Sequence, residues 1–102
     1  MLNPDVLNEL HSGHYLALAP PEGGTGIACQ HNPDYVPPVW PEEPGKQQQM
    51  VHMDFSIPAK SDMEAAVAHA VACGATVANT QYGDDWTVLF DPLDHPFCFV
   101  VW

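Results

Sequence analysis

From Val51 to Ile57 the sequence alternates strictly, and the stretch that follows changes period. Val51, Met53, Phe55 and Ile57 fall on one side of a pleated strand, and His52, Asp54 and Ser56 on the other. The next segment, SDMEAAVAHAVACGAT, reads as a helix. Ser61 with Glu64 three residues later makes a capping box. Met63, Ala66, Val67, Ala70 and Val71 trace an apolar stripe at helical spacing, and Gly74 supplies the left-handed residue that ends the helix. A strand with one apolar side, followed at once by an amphipathic helix, must place that side against the helix. His52 and Asp54 therefore point away from it.

The chain then returns to strands. ATVANTQ suggests one, WTVLFDP is one closed by a turn, and HPFCFVVW is a last one, apolar throughout after Pro96. The second half thus reads β-α-β-β-β. In the first half GHYLALAPP and GIACQ, joined by the turn EGGTG, form a hairpin, with Ile27 and Cys29 on one face and Ala28 and Gln30 on the other. Between the halves lies HNPDYVPPVWPEEPGKQQQ, with five prolines and no periodicity. It reads as a long ordered connection marking a boundary within the fold.

Charge and cysteine usage limit what such a chain can meet. Its 102 residues suffice for one domain. Thirteen acidic residues against two lysines and no arginine give a net charge of −11. That excludes nucleic acid, whose phosphates need clustered Lys and Arg, and it disfavours anionic membrane surfaces. A cationic ligand or partner is favoured at long range, although the same charge also serves solubility alone. Cys29, Cys73 and Cys98 are odd in number and lack CxxC spacing, so no disulfide framework is expected and a reducing cytoplasm is the expected compartment. MLNPDVLNELHSG has neither the basic nor the apolar region of a secretory signal, and no apolar run is long enough to span a bilayer.

HMDFSI, the helix ending ACGAT, and WTVLFDPLDHPFCFV, in that order and spacing, resemble the glyoxalase/bleomycin-resistance/dioxygenase superfamily, the vicinal oxygen chelate fold, and within it the glyoxalase-like domain branch. IACQHNPDYVPPVWP resembles the family's strand and inter-module linker. The resemblance covers about three quarters of the chain. It implies an α+β fold in which two βαβββ modules form a curved mixed sheet, a cup that holds the ligand. Residues 50–102 supply a complete module and 32–49 a Pro-rich linker, while 1–31 are a remnant of the first module within a single 1–102 domain. A family member opens with a strand and a helix before its hairpin, and the residues ahead of His14 are too few for both. Either the natural protein lacks that unit, or the reading frame starts late, or another copy replaces the missing strand. A homodimer is expected on that ground, since an absent edge strand leaves apolar surface and unpaired backbone for a second copy to cover.

The resemblance also implies a site. The second module's first strand aims a histidine into the cup, and that position falls on His52, a possible metal ligand. Metal-dependent members draw ligands from four strands. Here the later ligand of the first module matches Gln30 and the final one, usually glutamate, matches Cys98, so a single chain offers few good donors. The expected lining comprises Gln30, His52, Asp54, Cys98, Val100 and Trp102. Asp54 is a cup-rim or surface carboxylate. Cys98, in an apolar strand, reads as an inert buried thiol in preference to a nucleophile with His52 as its base. His69 lies off the apolar stripe and is expected in solvent. Trp86 and Trp102 line a pocket or fill core, and Tyr35 and Trp40 pin the linker. In DPLDHPF, Asp94 stands where the family's Asp-Pro turn usually has glycine, and Asp tolerates the left-handed conformation.

Three functions follow from these expectations. The first is a metal-free small-molecule-binding module using the cup, for a cationic ligand as in the drug-sequestering members, with no cofactor. The second is a metal-dependent lyase or dioxygenase, a divalent metal being held by His52 and by ligands from a second chain. The third is a degenerate domain serving only as an oligomer building block. No catalytic residue is assigned.

Overall fold

A computed structural model describes residues 8–9 and 15–101, with side chains from residue 16 onward. The chain divides into two compact units between Tyr35 and Val36. The first holds a three-stranded antiparallel sheet in the order β1 (Asn8–Glu9), β2 (Tyr15–Leu18), β3 (Ile27–Gln30). The hairpin expected from the sequence is β2–β3, with Leu18 opposite Ile27 and Tyr15 opposite Gln30. Its turn is closed by the Gly23 N–H donating to Pro20 O at 3.1 Å.

The second unit carries β4 (Met53–Ile57), α1 (Met63–Ala72), β5 (Thr76–Val77), β6 (Trp86–Phe90) and β7 (Pro96–Val101). Their sheet order is β4-β7-β6-β5, with β4 parallel to β7 and the other neighbours antiparallel. This is the βαβββ module, and the fold is α+β. The last strand, β7, sits inside the sheet, which explains why it is apolar on both faces. Its Phe97 and Phe99 face the helix and join Ile57, Ala70, Ala75 and Leu89 in the main core. Phe55, Phe97 and Phe99 meet in edge and tilted ring contacts at 5.8–6.3 Å. Cys98 faces the other way, in a smaller cluster with Val88 and Ala78.

Four local details differ from the sequence expectation. β4 starts at Met53, not Val51, because its parallel partner begins at Pro96, which has no N–H to extend the ladder. The Ser61–Glu64 capping box does not form. A 3-10 turn over Lys60–Asp62 leads straight into the helix, Asp62 takes the N-cap position in a helical conformation, and no side chain caps it. Met63, Ala66, Val67 and Ala70 pack on the core as their spacing implies, but Val71, at the end of the stripe, remains 47% exposed. The strand in ATVANTQ shrinks to Thr76–Val77, after which the Gln81 side chain takes over the pairing. Its Oε1 accepts from Val88 N–H at 2.8 Å, and its Nε2 donates to Ala78 O at 3.0 Å and Val88 O at 2.8 Å.

The two expected left-handed positions are observed. Gly74 has φ 108° where the helix ends, with Ala75 N–H reaching back to Ala70 O at 3.0 Å. Asp94 has φ 68° in the β6–β7 turn, which Asp91 braces by accepting from Leu93 N–H and His95 N–H, each at 2.9 Å. No helix among the described residues is long and apolar enough to cross a membrane.

Candidate ligand site

The face of the second unit's sheet turned away from α1 carries the candidate site. Strand register sets its rows: Asp54 lies opposite Cys98, which lies opposite Val88, and Val100 lies opposite Trp86. His52, one step before β4 and in phase with Asp54, adds its imidazole to the same face. The alternation in HMDFSI therefore carries a directional meaning: its polar residues look into a cavity of about 370 Å³. Residues 36–50 of the linker fold against this face. Val39 N–H donates to Gln47 O at 3.2 Å, which closes the segment into a loop. Trp40 is held by its indole N–H, which donates to Thr80 O at 3.4 Å, and by an edge contact with the Tyr82 ring at 5.8 Å. Trp40 and Trp86 supply the cavity's aromatic lining. Gly83 makes room for the second indole, since a methyl group there would run into the Trp86 ring.

The polar wall is a small network centred on His52. Gln49 Oε1 lies 2.9 Å from Nδ1 and can only accept, so Nδ1 carries a hydrogen and donates it. Nε2 lies 3.2 Å from Asp54 Oδ1 and 3.3 Å from Cys98 Sγ. In the imidazolium form Nε2–H donates to Asp54. In the neutral form Nε2 is bare and accepts from the thiol. Burial, with the Asp54 carboxylate as second cause, pushes the Cys98 thiol from 9.0 up to about 11, so it keeps its proton at neutral pH. An uncharged thiol is a weak nucleophile. The His52 and Asp54 side chains stay 28% and 40% exposed, so the wall is open to solvent.

Of the residues singled out in the sequence, the structure brings together His52, Asp54, Cys98 and Val100 around the cavity. Gln30 lies on β3 of the other unit, exposed. Trp102 lies outside the described residues. Trp86 resolves as a cavity residue, and Trp40 pins the linker as expected. Gln49 and Val88 went unnoticed as lining. Gln49 is one of three successive glutamines, and only its hydrogen bond to His52 sets it apart; Val88 reads as an ordinary core position in an apolar strand. His69 is exposed on α1, its Nε2 3.8 Å from Cys73 Sγ.

A βαβββ module with a ligand-sized cavity on the sheet face opposite its helix is the architecture of the glyoxalase/bleomycin-resistance class. The glyoxalase-like domain family matches residues 7–100, and the chain belongs to that family. Among solved structures it is similar to a glyoxalase/bleomycin resistance protein from Albidiferax ferrireducens T118, at 14% identity and a TM-score of 0.56, over 91% of this chain and 72% of that one. At that identity the likeness is one of fold. No curated protein matches the chain.

Proposed function

We propose that this glyoxalase-like domain binds a small, flat organic molecule in the cavity between Trp40, Trp86 and the Gln49–His52–Asp54 wall. The observation that carries the reading is the composition of that cavity. Two indoles offer stacking area and apolar β6 and β7 side chains form the floor, while one carboxylate and one imidazole converge from a single side. Its volume of about 370 Å³ sits within the range of roughly 300–1,000 Å³ that ligand sites occupy. The wall favours positive charge: Asp54 is its carboxylate, the thiol beside it is neutral, and the chain as a whole carries −11.

The test is quenching of intrinsic tryptophan fluorescence by three flat probes of matched size, a cationic acridinium, neutral acridine and an anionic acridine carboxylate. Saturable quenching that prefers the cation, and that Trp86→Ala and Asp54→Asn both weaken, supports the reading. Quenching that neither substitution changes would remove the cavity from consideration.

A further inference from the structure

We propose that His69 and Cys73 form half of a zinc-type metal site on the outer face of α1, and that a second copy of this chain supplies the other half. The helix packs on the side of the sheet opposite the cavity, so this site is separate from the one described above and does not depend on it. Two such pairs related by a two-fold axis give the Cys₂His₂ donor set that structural zinc takes.

The helical period brings the two donors together. Residues four apart share a helix face, and His69 Nε2 lies 3.8 Å from Cys73 Sγ, with both residues exposed. Zinc holds nitrogen at roughly 2.0–2.1 Å and sulfur at roughly 2.3 Å, which at a tetrahedral angle separates them by about 3.6 Å. The pair therefore closes on such a cation with a shift of a few tenths of an ångström, and nothing packed on it resists. Cys73 is the C-cap residue, so the last carbonyls of α1 set the negative end of the helix dipole beside the pair. A cation is favoured there. Imidazole and thiolate select a zinc-type ion over magnesium and calcium, which require oxygen donors.

Two donors do not close a tetrahedral site, and the helix face around them suits a second helix. The exposed residues flanking the pair are Ala65, Ala68 and Ala72. No long side chain stands between the donors and an approaching backbone, and the distance between packed helices is set by the side chains at the contact. From Ala65 to Cys73 the helix also carries no Asp or Glu, in a chain that has thirteen of them. Two copies can therefore meet on this face without opposing carboxylates, which a net charge of −11 makes uncommon elsewhere. A two-fold contact presents the same patch from both sides, so each copy contributes one imidazole and one thiolate. Zinc deprotonates both coordinating thiols, whose protons leave to solvent, and the two thiolates balance the charge of the ion.

Sedimentation velocity on the untagged full-length protein tests this, with zinc or with EDTA and under a phosphine reductant that removes any disulfide. Cys29 is a further exposed thiol, so all proteins carry Cys29→Ser. Zinc is expected to double the particle mass, and EDTA to reverse it. Equilibrium dialysis is expected to find half a zinc per chain more on this protein than on Cys73→Ser. His69→Ala and Cys73→Ser each weaken the zinc-driven association at least about tenfold, the lower end of what loss of even an outer-sphere partner costs. Both positions are exposed, so neither substitution opens the core. Ala72→Lys keeps both donors and suits the last turn of a helix, but its side chain fills the contact, so it too blocks the doubling. A mass that zinc leaves unchanged, a doubling that persists in any of the three variants, or one zinc per chain on the pair without association would overturn the shared site.

Discussion

Asp54 and Cys98 stand directly opposite each other in the parallel β4–β7 ladder, and burial, with the Asp54 carboxylate as second cause, holds the thiol in its protonated form. A charge and a buried neutral acid are thereby placed one strand spacing apart, so the pair couples folding to alkaline pH. Below about pH 9 the thiol is protonated in both the folded and unfolded chain. Between about 9 and 11 only the folded chain keeps the proton, so the unfolded state is favoured and stability falls as pH rises. The slope from this group is roughly 1.4 kcal/mol per pH unit, up to about 3 kcal/mol in all. Urea unfolding at about pH 8 and about pH 10.5 should show the wild type losing roughly 2 kcal/mol more than Cys98→Ala. Equal losses would mean that Cys98 titrates normally.

Gly83 is where the second indole can be moved without touching it. Even a methyl group there collides with the far end of the Trp86 ring, whose rotation is the available relief. Gly83→Ala should shift the tryptophan emission and weaken cationic-probe quenching several-fold while changing the unfolding midpoint little. An unchanged emission spectrum would show that the indole does not rest on this glycine.

Gln81 does the work of a missing strand residue. Its amide makes three backbone hydrogen bonds that continue the β5–β6 pairing by side chain. Gln81→Ala should cost about 2 kcal/mol, since a net protein hydrogen bond contributes roughly 0.5–1.5 kcal/mol and some of the freed groups will find water. Gln81→Glu turns a carboxylate oxygen toward the Ala78 and Val88 carbonyls, two acceptors it cannot donate to, so it should cost at least as much as Gln81→Ala. Amide exchange at Val88 should quicken in Gln81→Ala, which removes its acceptor, and protection equal to wild type would contradict the assignment.

The β6–β7 turn stores a small strain. Asp94 adopts φ 68° without being glycine. Asp94→Val should destabilise by about 1–2 kcal/mol, the penalty of forcing an unsuited residue into this region, and Asp94→Gly should be neutral or mildly stabilising. Thermal melts of the three proteins check the order, and a valine variant as stable as wild type would place the turn in another conformation.

Local periodicity made the βαβββ module legible. The change from alternation at Val51–Ile57 to helical spacing at Met63–Ala70 can be built only one way, and it also turned His52 and Asp54 from the helix. What was harder to read depended on partners distant in sequence. The start of β4 was hidden because it is decided by Pro96 in a strand at the other end of the module. The absent cap at Ser61 depends on how the chain enters the helix, which residue type does not reveal. Cys98 was placed at the site only through family resemblance, since its apolar strand alone suggests a buried core thiol. Its pairing with Asp54 arises from the parallel register, and no spacing along the chain encodes it. Gln49 had no signal at all, because a run of glutamines does not show which one meets a histidine.

The linker contributes Trp40 and Gln49 to the cavity, and the remaining lining residues come from the strands and lead-in that follow it. All eight lining residues thus lie between Trp40 and Val100, inside one compact unit. A gene segment covering residues 36–102 carries the whole of this chemistry. Duplication or exchange of that segment would hand a new protein the pocket already assembled, with its aromatic lining and its polar wall in register.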